Sequence, residues 1–211
     1  MPFDDGGISR GDLRPDLRLI ADMIEPGSRV LDIGCGDGAL LAHLAADKDV
    51  DARGIELSQD GVNACVARGL SVIQGDADTD LADYPDQAFD YVVLGRTLQA
   101  TRNPRAVLEN LVRIGRHAIV SFVNYGHWRI RLALLAGGRI PVASGGGYSW
   151  YDNPDIHQCS LQDFVELCDA LDLSVLQARS LNRHNRVGQI RTAGIMSNLR
   201  GQQAIFLLSK K

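Results

Sequence analysis

Apolar positions along this chain follow two alternating rhythms. Mainly apolar runs at Arg29–Ile33, Ala52–Glu56, Ser71–Ile73, Phe89–Leu94 and His117–Phe122 read as strands, the first of them buried. Elsewhere, apolar residues recur every three or four positions, the period of a helix with one buried face. Leu13, Leu17, Ile20 and Ile24 predict a helix over about 13–25, ended by Pro26-Gly27. A second helix is expected over about Gly38–Asp47. A third covers Gln59–Arg68, with Val62, Cys65 and Val66 inward and Gly69 as its stop. Asn103-Pro104 combines an N-cap side chain with a pre-set φ, ahead of Val107, Leu108, Leu111 and Ile114. Ser160-Leu161-Gln162-Asp163 has the spacing of a capping box, ahead of Phe164, Leu167, Cys168 and Leu171. Two more strands are expected at Leu173–Ala178 and Ala204–Ser209. Strand alternating with helix predicts right-handed crossovers, so the first five strands should be parallel in a three-layer, doubly wound α/β sheet.

Two stretches break the alternation. Residues 123–160 form an insert with a helix near His127–Leu135 and glycines at 137, 138 and 145–147. Residues 179–203 carry Arg179, Arg183, His184, Arg186, Arg191 and Arg200 and read as one long loop. A chain of 211 residues that is 45% hydrophobic can build one sizeable core, so a single domain over 1–211 is expected. No apolar run reaches the length of a membrane span. The opening Met1-Pro2-Phe3-Asp4-Asp5-Gly6-Gly7 lacks the basic and apolar regions of a signal peptide, and residues 1–12 are expected as a flexible tail. Cys35, Cys65, Cys159 and Cys168 show no paired spacing, which fits reduced thiols in a cytoplasmic protein and no metal site.

Charge is unevenly placed. Residues 1–109 hold 20 acids and 10 bases, whereas 110–211 hold 6 acids and 12 bases. The basic half reads either as solvated surface or as a face toward an anionic substrate or acidic partner. Its bases are scattered and no nucleic-acid-binding module is present, so nucleic acid is not expected.

The candidate chemistry begins at Val30-Leu31-Asp32-Ile33-Gly34-Cys35-Gly36-Asp37-Gly38. A strand, a turn without bulky side chains and a helix N-terminus form a ligand cradle. Gly34-x-Gly36-x-x-Ala39 also fits a loose dinucleotide pattern, but Asp32 and Asp37 would face a pyrophosphate with two carboxylates. S-adenosylmethionine carries an ammonium and a sulfonium and no phosphate, and it suits an acid-flanked turn. Glu56 ends the second strand, where a carboxylate grips ribose hydroxyls, followed by Leu57. Asp76, followed by Ala77, ends the third and can accept from the exocyclic amine of adenine. Leu94 ends the fourth strand. The cofactor-binding candidates are therefore Asp32, Gly34, Cys35, Gly36, Asp37, Glu56, Leu57, Asp76, Ala77 and Leu94.

The strings around Asp32, Gly54-Ile55-Glu56, Gly75-Asp76 and Phe89–Leu94 resemble the class I S-adenosylmethionine-dependent methyltransferase fold. That resemblance implies a seven-stranded sheet whose last strand is antiparallel, holding S-adenosylmethionine or S-adenosylhomocysteine. The polar-Pro-Pro-aromatic motif of amino-group methyltransferases is absent, since Leu94-Gly95-Arg96-Thr97 stands in its place. DNA or protein-amide methylation is therefore unsupported. Arg14-Pro15-Asp16-Leu17, Thr97–Thr101, Asn124–Arg129, Trp150–His157 and Asn198-Leu199-Arg200-Gly201 are similar to the MetW family of bacterial methionine-biosynthesis proteins. That likeness implies association with, and support of, homoserine O-acyltransferase (MetX). The alternative is an active small-molecule methyltransferase. Asn124, Tyr125, His127, Trp128, Arg129, Tyr151 and His157 in the insert are candidates for facing a substrate or partner. A merely stabilising aromatic cluster remains the third reading.

Overall fold

The computed structural model describes residues 13–139, 149–190 and 194–211. The expected tail at 1–12, glycines 145–147 and Arg191 lie outside the described residues.

The first strand, β1 (Arg29–Ile33), lies between β2 (Asp51–Glu56) and β4 (Phe89–Gly95), and both pair with it in parallel. β3 (Ser71–Gln74) adds beyond β2, and β5 (Gly115–Val123) beyond β4, again parallel. The last strand, β8 (Gln203–Lys210), pairs antiparallel with β5 and separates it from β6 (Leu173–Leu181). A short strand, β7 (Val187–Gln189), closes the edge, giving the order β3-β2-β1-β4-β5-β8-β6-β7. The order reverses between β1 and β4, and at such a switch point the loops leaving the strands diverge and open a crevice.

Helices cover both faces. On one, α4 (Pro104–Ile114) and α6 (Leu161–Ala170) bury Leu108, Leu111 and Phe164 against Leu31, Ile33, Val92, Phe122 and Phe206. On the other, α1 (Pro15–Asp22) and α2 (Ala39–Lys48) bury Leu19, Ile20 and Leu44 against Val30, Val93 and Ile205. Near β2 and β3, α3 (Gln59–Ala67) contributes Cys65 to a small cluster with Cys35 and Leu41. Caps act where local chemistry asks for them. Asn103 accepts from the Ala106 N–H at 3.1 Å, and Ser160 and Asp163 close a reciprocal capping box.

The expected loop over 179–203 is a correction. β6 continues to Leu181, turns back into β7, and a six-residue helix, α7 (Ile195–Arg200), precedes β8. The turn is held by the Asn182 side chain, which accepts from the N–H groups of His184 and Arg186. Val187-Gly188-Gln189 has no alternation to read; only backbone pairing to β6 makes it a strand. The sheet therefore has eight strands where seven were expected. In the insert, α5 (Trp128–Gly137) forms close to its expected place.

Candidate functional site

Side chains alternate across β1. Leu31 and Ile33 enter one core, and Val30 enters the other. Asp32 shares Val30's face, so a carboxylate stands where the period demands an apolar group. It is 4% exposed and accepts no hydrogen bond from the described residues. Burial raises its pKa to about 7; nearby Arg14 pulls it down and Glu56 pushes it up. A buried carboxylate that opens on a cavity is costly to ionise, and such groups are found where a ligand can offer them a partner.

The turn beyond Asp32 is tied to β2. Gly34 and Cys35 both donate to the Ile55 carbonyl, at 2.8 and 3.2 Å. Gly34 has φ +73°, and a side chain there would meet the Thr97 hydroxyl. Gly36 has φ +58° and faces open space. Glu56 uses both oxygens to shape the turn, accepting from Gly36 N–H at 2.8 Å and Ser58 N–H at 2.9 Å. Asp37 accepts from the first helical N–H, Ala39, and pairs with Arg68 at 3.3 Å. Cys35 is buried under the turn, and burial, followed by the Asp32 charge, pushes its thiol well above the usual range.

Two cavities meet at Gly34, over the carboxyl ends of the strands. The first, about 410 Å³, is lined by Asp32, Gly34 to Asp37, Arg14, Leu17, Arg96, Gln99 and Asp155. The second, about 420 Å³, is lined by Glu56, Leu57, Asp76, Ala77, Thr97 and Arg102. Leu57 is 65% exposed, an apolar flank without a protein cover. Asp76 is engaged: Oδ2 takes Arg102 Nη2 at 2.6 Å, and Oδ1 takes the Asp78 N–H at 2.9 Å. Asp78 in turn anchors the loop after β4. Burial pushes its carboxyl up, but the N–H groups of Arg102 and Asn103, with the Arg102 side chain, hold it below its ordinary value.

Nine of the ten cofactor candidates therefore line this double trough, and Leu94 does not. Its side chain is fully buried in the core behind β4, on the face it shares with Val92. The lining residues are its successors, Gly95 and Arg96. Arg96 adopts φ +62°, rare for a residue with a Cβ, while its N–H donates to the Ser121 carbonyl at 2.9 Å.

The insert candidates separate. Asn124 is completely buried and fully bonded. Its amide donates to the carbonyls of Asn198 and Gly201, both at 2.7 Å, and its oxygen accepts from Gly126 and Leu161. This knot joins β5, α6 and α7 and leaves nothing for a substrate. The Tyr125 N–H donates to Cys159. His127 caps α5, its Nδ1 accepting from the Arg129 N–H; burial and the Arg129 charge lower its pKa. Trp128 is half exposed beneath the Arg129 guanidinium, 5.6 Å away. Tyr151 is exposed, edge-on to Trp150. His157 reaches the Arg102 carbonyl at 3.2 Å. From the insert, Pro154 and Asp155 line the first cavity. Sequence reasoning also missed Gln99. This buried side chain pairs both its amide ends with Val123, much as a strand neighbour would. Its only signal was membership of the Thr97–Thr101 string.

The family model for the methionine biosynthesis protein MetW matches residues 14–208. The chain belongs to the MetW family. A bifunctional methionine biosynthesis protein MetXA/MetW from Rhodopirellula baltica is 34% identical over 172 residues, 77% of this chain and 28% of the relative. This chain thus spans little more than a quarter of that relative's length. Among solved structures, a SAM-dependent methyltransferase from Thermotoga maritima superposes with a TM-score of 0.66 at 16% identity, over 93% of this chain and 88% of the other. The [4+2]-cyclase SpnF superposes with a TM-score of 0.65 at 19% identity, over 92% of this chain and 80% of the other. These likenesses establish a methyltransferase-type fold. The cyclase shows that such a fold is not confined to one chemistry.

Among the described residues no helix is long and apolar enough to cross a membrane, and no cluster of His, Cys, Asp and Glu is arranged to hold a metal ion.

Proposed function

We propose that this protein acts in cytoplasmic methionine biosynthesis as a partner of homoserine O-acyltransferase (MetX), and that its trough binds S-adenosylmethionine or S-adenosylhomocysteine. The partner reading is carried by the Rhodopirellula relative, whose name joins MetXA and MetW in one polypeptide.

The ligand reading is supported by Asp32. A buried carboxyl that opens on a cavity, with no donor among the described residues, fits an ammonium group. Arg14 lines the same cavity and suits the ligand's carboxylate, so a zwitterionic amino-acid end finds both signs. Glu56, already oriented by Gly36 and Ser58, keeps outward lone pairs for ribose hydroxyls. Leu57 and Ala77 flank the space for a flat base, with Asp76 at its edge. Backbone at Gly34, Cys35, Gly36 and Asp37 floors the trough. A phosphate-bearing nucleotide would meet Asp32 and Asp37 instead. When bound, S-adenosylmethionine supplies an electrophilic methyl group. This chain's residues bind and orient the ligand, and the buried knot and helix cap engage Asn124 and His127 elsewhere.

The test pairs two titrations. Calorimetry with S-adenosylmethionine and S-adenosylhomocysteine should show one site per chain. Sedimentation with the acyltransferase of the same organism should show a complex, and the acyltransferase rate should rise within it. No complex overturns the partner reading. No heat with either ligand overturns the trough assignment. Ligand-dependent methyl transfer to a metabolite would replace both with catalysis.

A further inference from the structure

Helix α5 does not obey the rule that every other long helix of the fold follows. Its ten residues, Trp128–Gly137, include no buried side chain. Seven of those residues are apolar, and they surround the helix instead of forming a stripe. Leu132 is 53% exposed and Leu135 84%. A helix that is apolar all round belongs inside a structure, and one of this length does not hold itself in water by propensity alone. Its N-terminal cap at His127 fixes where it starts, but no side chain is buried along it. Contiguous exposed apolar surface of this kind marks an interaction site.

Charge identifies the occupant. Arg129, Arg131 and Arg139 are all exposed on and beside the helix, and no acid occurs between Glu109 and Asp152. A second copy of this chain, docked about a two-fold axis on α5, would set these arginines against their own equivalents. An apolar patch rimmed by carboxylates complements the helix instead. The insert that carries α5 also sends Pro154 and Asp155 to the first cavity.

We infer that α5 is the docking helix for the acyltransferase, inserting Trp128, Leu132 and Leu135 into an acid-rimmed apolar groove on that enzyme. This rests on the partner reading above and adds the surface and its chemistry. The geometry is a helix laid into a groove. Basic residues around an apolar centre steer association, so the complex should weaken as salt rises.

The experiment uses the full chain and purified acyltransferase. Leu132→Glu, Leu135→Glu and their double variant put carboxylates on exposed positions outside both cavities. Affinity for the acyltransferase is measured by calorimetry, oligomeric state by sedimentation, and S-adenosylmethionine binding serves as the fold control. The expected result is a loss of at least about thirtyfold in partner affinity for the double variant, with ligand affinity unchanged. Wild-type affinity in the double variant would overturn the α5 assignment and leave the partnership standing. No complex with the wild-type chain would overturn the partnership itself, and α5 with it. A wild-type dimer that the variants split into monomers would make a second copy the occupant and overturn the inference.

Discussion

Asp32 concentrates the conflict between stability and function in one carboxyl. Its pKa of about 7 in the folded chain lies above the 3.8 of an ordinary aspartate. The folded state therefore holds a proton that the unfolded state releases, and its contribution to stability is present at acid pH and lost as pH rises toward 7. The loss is at most about 4 kcal/mol. Asp32→Asn should accordingly leave urea stability near wild type at pH 5 and raise it at pH 8. The same variant should bind S-adenosylmethionine weakly. In the wild-type chain, affinity should improve by up to about tenfold from pH 6 to pH 8, as the carboxyl ionises to meet the ammonium. Calorimetry in buffers of different ionisation enthalpy reads the released proton directly. A flat pH profile would place the ammonium elsewhere.

At the scale of elements, the insert is organised by a polar knot. Asn124, at the end of β5, bonds to residues 74 and 77 positions away as well as to its neighbours. Asn198 completes the junction, accepting from the Leu161 N–H and donating to Gln162. Asn124→Ala would orphan three buried polar groups, the Asn198 and Gly201 carbonyls and the Gly126 N–H, while the Leu161 N–H keeps Asn198; it should cost about 3 kcal/mol or more in urea unfolding. Ligand affinity should change far less, because no atom of Asn124 lines either cavity. A catalytic role would give the opposite split. The residue's type drew attention in the sequence, but its partners lie too far along the chain for any local pattern to reveal that all its bonds are made. β7 and α7 were illegible for a related reason: three and six residues carry too little periodicity, and they exist by pairing and packing on β6 and α6.

For the whole molecule, the insert that carries the docking helix also lines one edge of the trough through Pro154 and Asp155, so the two ligands can influence each other's affinity. If both bind as proposed, the coupling must be reciprocal. The factor by which S-adenosylmethionine changes acyltransferase affinity should equal the factor by which the acyltransferase changes S-adenosylmethionine affinity. Titrations of each with and without the other measure both factors. Two factors of one would make the sites independent.

Local chemistry settled the frame of this protein: apolar runs alternating with helical periods demand a parallel, two-sided sheet, and glycines between acids demand a turn open to a ligand. Those signals lie within a few residues of one another, so they can be read along the chain. What only the tertiary structure decided is which polar groups keep a free valence. Among the described residues Asp32 has no donor and Asn124 has no spare atom, although both are buried polar side chains at strand ends. That difference, like the bare flanks of α5 and the withdrawal of Leu94 into the core, depends on what distant segments bring to each position.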